Sequence, residues 1–344
     1  MRRLSLVLAM LALGLLAPAG ALAHAGQSDG TDYRSSITAV PTGVTARIVG
    51  GDDRIEITRT TARQVVILGY GGEPYLRLDA QGTWENRNSA AVALNDVRRT
   101  PDAITTTETK IGPDWVQTGT GDSVVFHDHR THWMASQPPA KVRADPDHAQ
   151  LLFAWSVPLA VDGQAAEIRG DVMWLGTPLT WLWWLLTALA VIAGALIGSL
   201  RRVPVAPAAI AGTLVAVLAA LATGLSQQLD LPDGGTGALV AIAIAVALLA
   251  IGLGLGHRLR AVPAHATTVL LLVALVAGGV QLVGLAGSAF AYALVPGPLP
   301  TVVTRILVIA GLAGVAVTAG ACFRAWRTLL AGLPAESVRP ESTW

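Results

Sequence analysis

Three of the seven histidines lie within six residues, in the stretch HDHRTHWM at positions 127–134. Side chains alternate between the two faces of a strand, so His127 and His129 share one face if this stretch is extended. Two imidazoles on one face suit a single metal ion, and His132 or Met134 can join them only if the strand turns after His129. Imidazoles bind copper or zinc, and a thioether favours reduced copper. Since the sequence offers no thiolate near this stretch, we expect a copper ion.

The same stretch also permits two interpretations without a metal. In a structural network, Asp128 orients an imidazole, and Arg130 pairs with a carboxylate such as Glu73 or Glu85 while Trp133 packs in the core. In a pH-sensing cluster, neighbouring imidazoles change charge near neutral pH. Both alternatives stay open at this point.

The N-terminus has the layout of a secretory signal peptide. Arg2 and Arg3 precede an apolar run at 4–16, and small residues flank a cleavage position after Ala23. This run is shorter than the roughly 20 residues that span a bilayer. We therefore predict a signal peptide at 1–23 and a mature chain that begins at His24. The amino nitrogen and the ring nitrogen of an N-terminal His24 can bind one copper ion together, as in histidine-brace sites. His24 is therefore a further candidate ligand, and a copper-dependent oxidase is an alternative function.

Composition divides the rest of the chain into two parts. The whole sequence is 52% hydrophobic and 14% charged. Residues 24–176 hold 14 basic and 19 acidic residues, whereas residues 177–344 hold eight and four. A disordered chain or one ordinary soluble domain is excluded by this composition. No strongly basic region is present, so we do not expect nucleic acid as a partner.

The second part is predicted to cross a membrane five times, because each of its apolar stretches is long enough for a transmembrane helix. The stretches are residues 179–200, 205–225, 238–256, 267–287 and 302–323. Basic residues follow the first, third and fifth stretches, which predicts a plasma-membrane protein with its N-terminal domain outside and its C-terminus in the cytoplasm. We assign residues 177–324 to the bundle and 325–344 to a cytoplasmic tail.

The predicted helices contain no Asp, Glu, Lys or His, which argues against ion transport through the bundle. Gly194 and Gly198 form a GxxxG pair, as do Gly252 and Gly256. Such pairs allow helices to pack closely, within one chain or between chains. Besides the lipid bilayer, the predicted partners are therefore other envelope proteins or a second copy.

The first part alternates polar and apolar residues between turn signals. This pattern predicts an all-β domain at 24–176, either an Ig-like antiparallel β-sandwich or a small barrel. A second distinctive stretch, GYGGEPYLR at 69–77, contains Tyr70 and Tyr75. With Trp84 they either line a shallow carbohydrate or peptide surface or form corners of the core, and we favour the core.

The two distinctive stretches resemble those of a group of multi-pass envelope proteins from high-GC Gram-positive bacteria. These carry an exported domain with GYxGEPYLR and HDHRxHWM stretches, matched here at 69–77 and 127–134. The resemblance implies the order of an exported domain followed by transmembrane helices. A mature His24 also resembles periplasmic copper-resistance carriers, which are β-sandwiches with an N-terminal histidine site.

The sequence thus predicts an envelope membrane protein whose exported domain binds copper through His127 and His129, with His132, Met134 and His24 as additional candidate ligands. The bundle acts as an anchor. The alternative is a non-enzymatic envelope module in which the same residues are structural and the domain binds a protein or a glycan.

Overall fold

The computed structural model describes residues 30–52, 54–96, 112–135, 137–230 and 264–331, with the backbone alone described at 264–277 and 329–331. The predicted signal peptide, His24 and the apolar stretch at 238–256 lie outside the described residues.

Ten strands and two short helices form the N-terminal part of the described chain. The strands are β1 Tyr33–Ala39, β2 Val44–Val49, β3 Arg54–Arg59, β4 Val65–Leu68, β5 Pro74–Asp79, β6 Gly82–Asn86, β7 Trp115–Gly119, β8 Ser123–Phe126, β9 Gln150–Val161 and β10 Gln164–Trp174. The helices are α1 Ala90–Asn95 and α2 Ala140–Ala144.

The strands form two antiparallel sheets. The larger has the order β1-β10-β9-β4-β5-β6-β7, and the smaller has the order β2-β3-β8. Ile55 and Ile57 of β3 are fully buried and alternate with partly exposed polar residues, as the period-two pattern predicts. They share one hydrophobic core with residues of the larger sheet, among them Ile67, Leu78 and Leu159. The predicted antiparallel β domain is therefore confirmed, and the choice between sandwich and barrel stays a prediction.

Four long helices follow: α3 Thr180–Ser199, α4 Val205–Asp230, α5 Ala264–Ala291 and α6 Thr301–Ala331. Among the described residues, three helices are long and apolar enough to cross a membrane, namely α3, α4 and the 301–328 part of α6. In α5 the part with described side chains, Gly278–Ala291, is apolar but shorter. The structure thus supports a membrane protein, and the count of five spans stays a prediction.

Glycines let the helices pack closely. A Cβ added at Gly194 of α3 would lie 2.5 Å from the Ala313 carbonyl oxygen of α6. One added at Gly198 would lie 2.1 Å from the Val317 carbonyl oxygen of the same helix. Gly212 of α4 lies equally close to α6, because a Cβ added there would lie 2.5 Å from the Gly314 carbonyl oxygen. The first predicted GxxxG pair therefore packs within the chain, while the second lies outside the described residues.

The β domain rests on the end of the bundle where α4 and α5 end and α6 begins. Thr31 and Leu294 exchange two backbone hydrogen bonds of 2.9 Å. The Asp32 carboxylate accepts the Ala293 N–H at 2.8 Å, and the Asp230 carboxylate accepts the Gly50 N–H at 2.9 Å. The two parts of the chain therefore hold each other through reciprocal carboxylate contacts.

Arg305 completes this junction. Its guanidinium donates to the carbonyl oxygens of Ala289 and Tyr292, each at 2.7 Å, and lies 4.9 Å from the centre of the Trp183 ring. Burial raises the pKa of Asp32, while the Ala293 N–H and the charge of Arg305 oppose that rise. Arg305 is thus a buried cation at the end of the bundle on which the β domain rests.

Candidate metal centre

A turn at the end of β8 brings the histidines together. β8 ends at Phe126, and the Thr131 N–H then donates to the Asp128 carbonyl oxygen at 3.0 Å. The Thr131 hydroxyl donates to the same oxygen at 2.8 Å. This turn reverses the chain, so His132 lies beside His127. The sequence allows His132 as a third ligand only if the chain turns after His129, and it does.

The three imidazoles form one compact group. One nitrogen from each of His127, His129 and His132 lies within 4.8 Å of the other two. The ring centres are 5.2 Å apart for His127 and His129, 4.4 Å for His127 and His132, and 5.7 Å for His129 and His132. In the part of the chain that the structure describes, the group contains no Cys, Asp or Glu.

The backbone orients the His132 ring. Its Nδ1 lies 3.2 Å from the carbonyl oxygen of Trp133, which can only accept a hydrogen bond. Nδ1 therefore carries the proton, and the lone pair of Nε2 points toward His127. A carbonyl that fixes the tautomer in this way is the usual outer partner of a metal-binding histidine.

The Nε2 atoms of His127 and His132 are almost as far apart as two ligands of one metal ion. Nε2 of His132 lies 2.8 Å from Nε2 of His127, as in a hydrogen bond between the rings. In a tetrahedral site with bonds of about 2.0 Å, two ligand nitrogens lie about 3.3 Å apart. Binding of one ion by both nitrogens would therefore need an opening of about 0.5 Å and the transfer of the proton between them to another position.

The exposure of the three rings differs. His132 is 2% exposed, whereas His127 and His129 are half-buried. The group is thus anchored on its buried side by His132 and reachable from solvent on the side of the other two.

The acid within the turn neutralises the neighbouring cation. Both carboxylate oxygens of the fully buried Asp128 accept from the Arg130 guanidinium, at 2.9 and 2.6 Å. Burial lowers the pKa of Arg130, but the hydrogen bond and charge of Asp128 outweigh it, so the net pKa is raised. Arg130 therefore pairs within its own turn, whereas the sequence suggested Glu73 or Glu85.

Tyr70 connects the second distinctive stretch to the histidines. Its hydroxyl accepts the His129 N–H at 2.9 Å and donates to the Asn95 side chain. The Arg130 guanidinium lies 4.9 Å from the Tyr70 ring centre and donates to the Leu68 carbonyl oxygen at 3.0 Å. Burial, followed by the charge of Asp128, raises the pKa of Tyr70, so its hydroxyl stays protonated and able to donate.

Glu73 holds the loop that carries Tyr70. Its carboxylate accepts from the Ser89 hydroxyl at 2.7 Å and from the Gly71 N–H at 2.9 Å. A Cβ at Gly69 would lie 2.0 Å from the same carboxylate, so any larger residue there would displace the Glu73 side chain. The glycines of the stretch thus serve the closed loop that presents Tyr70.

The other candidate aromatics belong to the scaffold. Tyr75 is buried in the core, with its ring edge toward Phe126 at 5.9 Å between centres. Trp84 lies against the Arg77 guanidinium, 4.7 Å from the ring centre. The core interpretation of Tyr75 is therefore the one that the structure supports.

The remaining candidate ligands are less closely placed. Met134 is half-buried two residues after His132, and its sulfur stays a predicted additional ligand. His24 lies outside the described residues. His148 is exposed and pairs with Asp145, separate from the three-histidine group.

Strand register places the group at the bundle side of the domain. Phe126 pairs with Ile55, which pairs with Ile48, two residues before the Gly50 that contacts the bundle. Two strand spacings of about 4.8 Å therefore separate Phe126, the residue before His127, from β2, the strand that leads to this junction.

No protein-family model, curated protein or solved structure matches this chain. Its class is therefore defined by its own fold and site, as an apolar helical bundle that carries an antiparallel β domain with a three-histidine group.

Proposed function

We propose that this chain is a cell-envelope membrane protein whose outer β domain, a sandwich, binds a copper ion through His127, His129 and His132. The bundle of five helices anchors the domain in the plasma membrane. The observation that carries this proposal is the convergence of three imidazole nitrogens within 4.8 Å.

Copper fits the donor set better than other divalent ions. All three donors are imidazole nitrogens, and the single cysteine lies in α6, away from the β domain. First-row ions bind such nitrogen sites most tightly when the ion is copper. Zinc is the main competitor, since it also accepts three histidines.

The charge distribution supports an outer position for the domain. Arg324 donates to the Val203 carbonyl oxygen, so the basic residues after α3 and those late in α6 meet at one end of the bundle. The β domain rests on the other end. Basic residues remain on the cytoplasmic side of membrane proteins, which supports the domain being outside.

The 2.8 Å contact between His127 and His132 favours a second candidate, a structural network without metal. In that case the turn and its Arg130–Asp128 pair would stiffen a surface for another envelope protein. A histidine-brace oxidase would require His24 at the site and stays a prediction.

Competition titration decides between the two candidates. The full chain in detergent is titrated with Cu(II), Cu(I) and Zn(II) against a chelator of known affinity. We expect one equivalent of copper, its loss in His127→Ala/His129→Ala, and unchanged binding in His148→Ala, which removes an exposed histidine outside the group. Equal binding by the wild type and the double variant would contradict the metal proposal and leave the network.

A further inference from the structure

Among the described residues, the three-histidine group offers fewer ligands than a closed metal site has. Structural sites usually have four protein ligands, whereas sites that react or exchange keep three and leave one position for water or substrate. Over the described ranges, His127, His129 and His132 have no Cys, Asp or Glu beside them in the group. Asp128, which lies between His127 and His129 in the sequence, directs both oxygens to Arg130.

Exposure places the fourth coordination position of a bound ion toward solvent. His132 approaches from the buried side, while the half-buried His127 and His129 bound the accessible side. A ligand from solution can therefore reach an ion held by the three rings.

The charge of the site selects the class of ligand. Neutral imidazoles leave a bound Cu(II) ion with its full charge of two. The Arg130–Asp128 pair adds one positive and one negative charge, so it does not cancel the charge of the ion. A small anion is thus favoured over a neutral donor at the open position.

The ligands also come from one short segment. All three histidines lie in residues 127–132, after the last residue of β8, while the core is formed by residues of both sheets. Folding of the domain therefore does not depend on the ion, in contrast to small domains that fold around structural zinc.

We infer that the three-histidine site is an open exchange site, which binds a small inorganic anion at a fourth position of its Cu(II) ion. This inference rests on the proposed function. It distinguishes a site that reacts or passes on its metal from a site that only stabilises the fold.

Azide is the probe for this inference. The full chain in detergent is loaded with one equivalent of Cu(II), and azide is added while absorption and electron paramagnetic resonance spectra are recorded. We expect a saturable azide-to-copper charge-transfer band and altered copper resonance parameters. Met134→Leu is measured in the same way, because it removes the thioether that the sequence offers as an additional ligand. The chelated protein should keep its circular dichroism spectrum.

The outcomes separate the two proposals. If the chain binds no stoichiometric copper, both fail. If copper binds but azide changes neither spectrum, the inference of an open position fails and the proposed function stands. If azide binds only in Met134→Leu, the thioether occupies the fourth position, which also overturns the inference.

Discussion

The position of His129 depends on a residue 59 positions earlier in the sequence, because its backbone N–H donates to the Tyr70 hydroxyl. The same hydroxyl donates to Asn95, so it connects the turn to α1. Tyr70 thus acts on the proposed metal through the backbone of a ligand and not by contact with the ion.

Tyr70→Phe should weaken copper binding without unfolding the domain. The variant keeps the ring against Arg130 but leaves the His129 N–H without this acceptor. Loss of an outer partner of a metal ligand typically lowers metal affinity by about 10–100-fold, so we expect a loss of about 10-fold. Competition titration measures it. Tyr33→Phe, which removes a hydroxyl on β1, is the control and should bind as the wild type does. Unchanged affinity in Tyr70→Phe would show that the hydroxyl does not position the ligand.

The three histidines can be recognised in the sequence, but their arrangement cannot. Alternation along a strand predicts that His127 and His129 share a face, and His132 is expected only if the chain turns. The turn depends on Asp128 and Thr131, whose hydrogen bonds are local but compete with continued strand pairing. The contact of Tyr70 with His129 spans two distant stretches, and periodicity carries no signal for it.

At the scale of elements, close helix contact relies on positions without a side chain. α3 lies against α6 at Gly194 and Gly198, and α4 lies against α6 at Gly212. Without a hydrophobic driving force between helices in lipid, such close packing supplies much of their association.

Gly198→Ala should destabilise the bundle. Its new Cβ would lie 2.1 Å from the Val317 carbonyl oxygen, and relief by helix displacement costs about 1–3 kcal/mol for overpacking of this kind. Thermal unfolding in detergent, followed by circular dichroism, measures the change. Gly284→Ala is the matched control, because a Cβ there has nothing within 4 Å. If the two variants unfold at the same temperature, α3 does not pack on α6 as described.

Elements with a strong pattern are well predicted from the sequence. Ser123–Phe126 forms β8, and the Asp-Gly pair at 162–163, a typical turn sequence, forms a turn with positive φ at both residues. β6 and β7 are less evident, since β7 has no buried residue and lies at the edge of the sheet. Their position comes from pairing with β5 and with each other, and sequence periodicity does not reveal such pairing.

At the scale of the whole molecule, the domain and bundle form a junction of backbone and carboxylate contacts. Asp32 of the domain and Asp230 of the bundle each accept an N–H from the other part. The three-histidine group lies on this side of the domain, so the junction sets its position relative to the helical bundle. Composition predicts two parts but no contact between them, because the contacts use backbone groups.

Arg305→Met should weaken the junction in a pH-dependent way. It removes hydrogen bonds to two carbonyl oxygens and the cation that favours ionised Asp32. We expect the free energy of unfolding to fall by about 2 kcal/mol. Burial already raises the pKa of Asp32, and loss of Arg305 raises it further. A carboxyl with a raised folded-state pKa favours the folded state in acid and loses that contribution as pH rises through this pKa. The destabilisation should therefore be larger at neutral pH than in acid.

Thermal unfolding of the wild type and of Arg305→Met, measured from acid to neutral pH, tests the prediction. Asp32→Asn keeps an acceptor for the Ala293 N–H but has no charge, so in this background the Arg305→Met effect should lose its pH dependence. A pH-independent difference in the presence of Asp32 would show that the two charges do not interact.

X-ray absorption at the copper edge of the loaded full chain tests the central claim most directly, because it counts the imidazoles around the ion. We predict three imidazole nitrogens at about 2.0 Å in the wild type, the same shell in His148→Ala, and fewer imidazoles in His129→Ala. A shell without imidazole scattering, or one that His129→Ala leaves unchanged, would contradict a copper site at the three histidines.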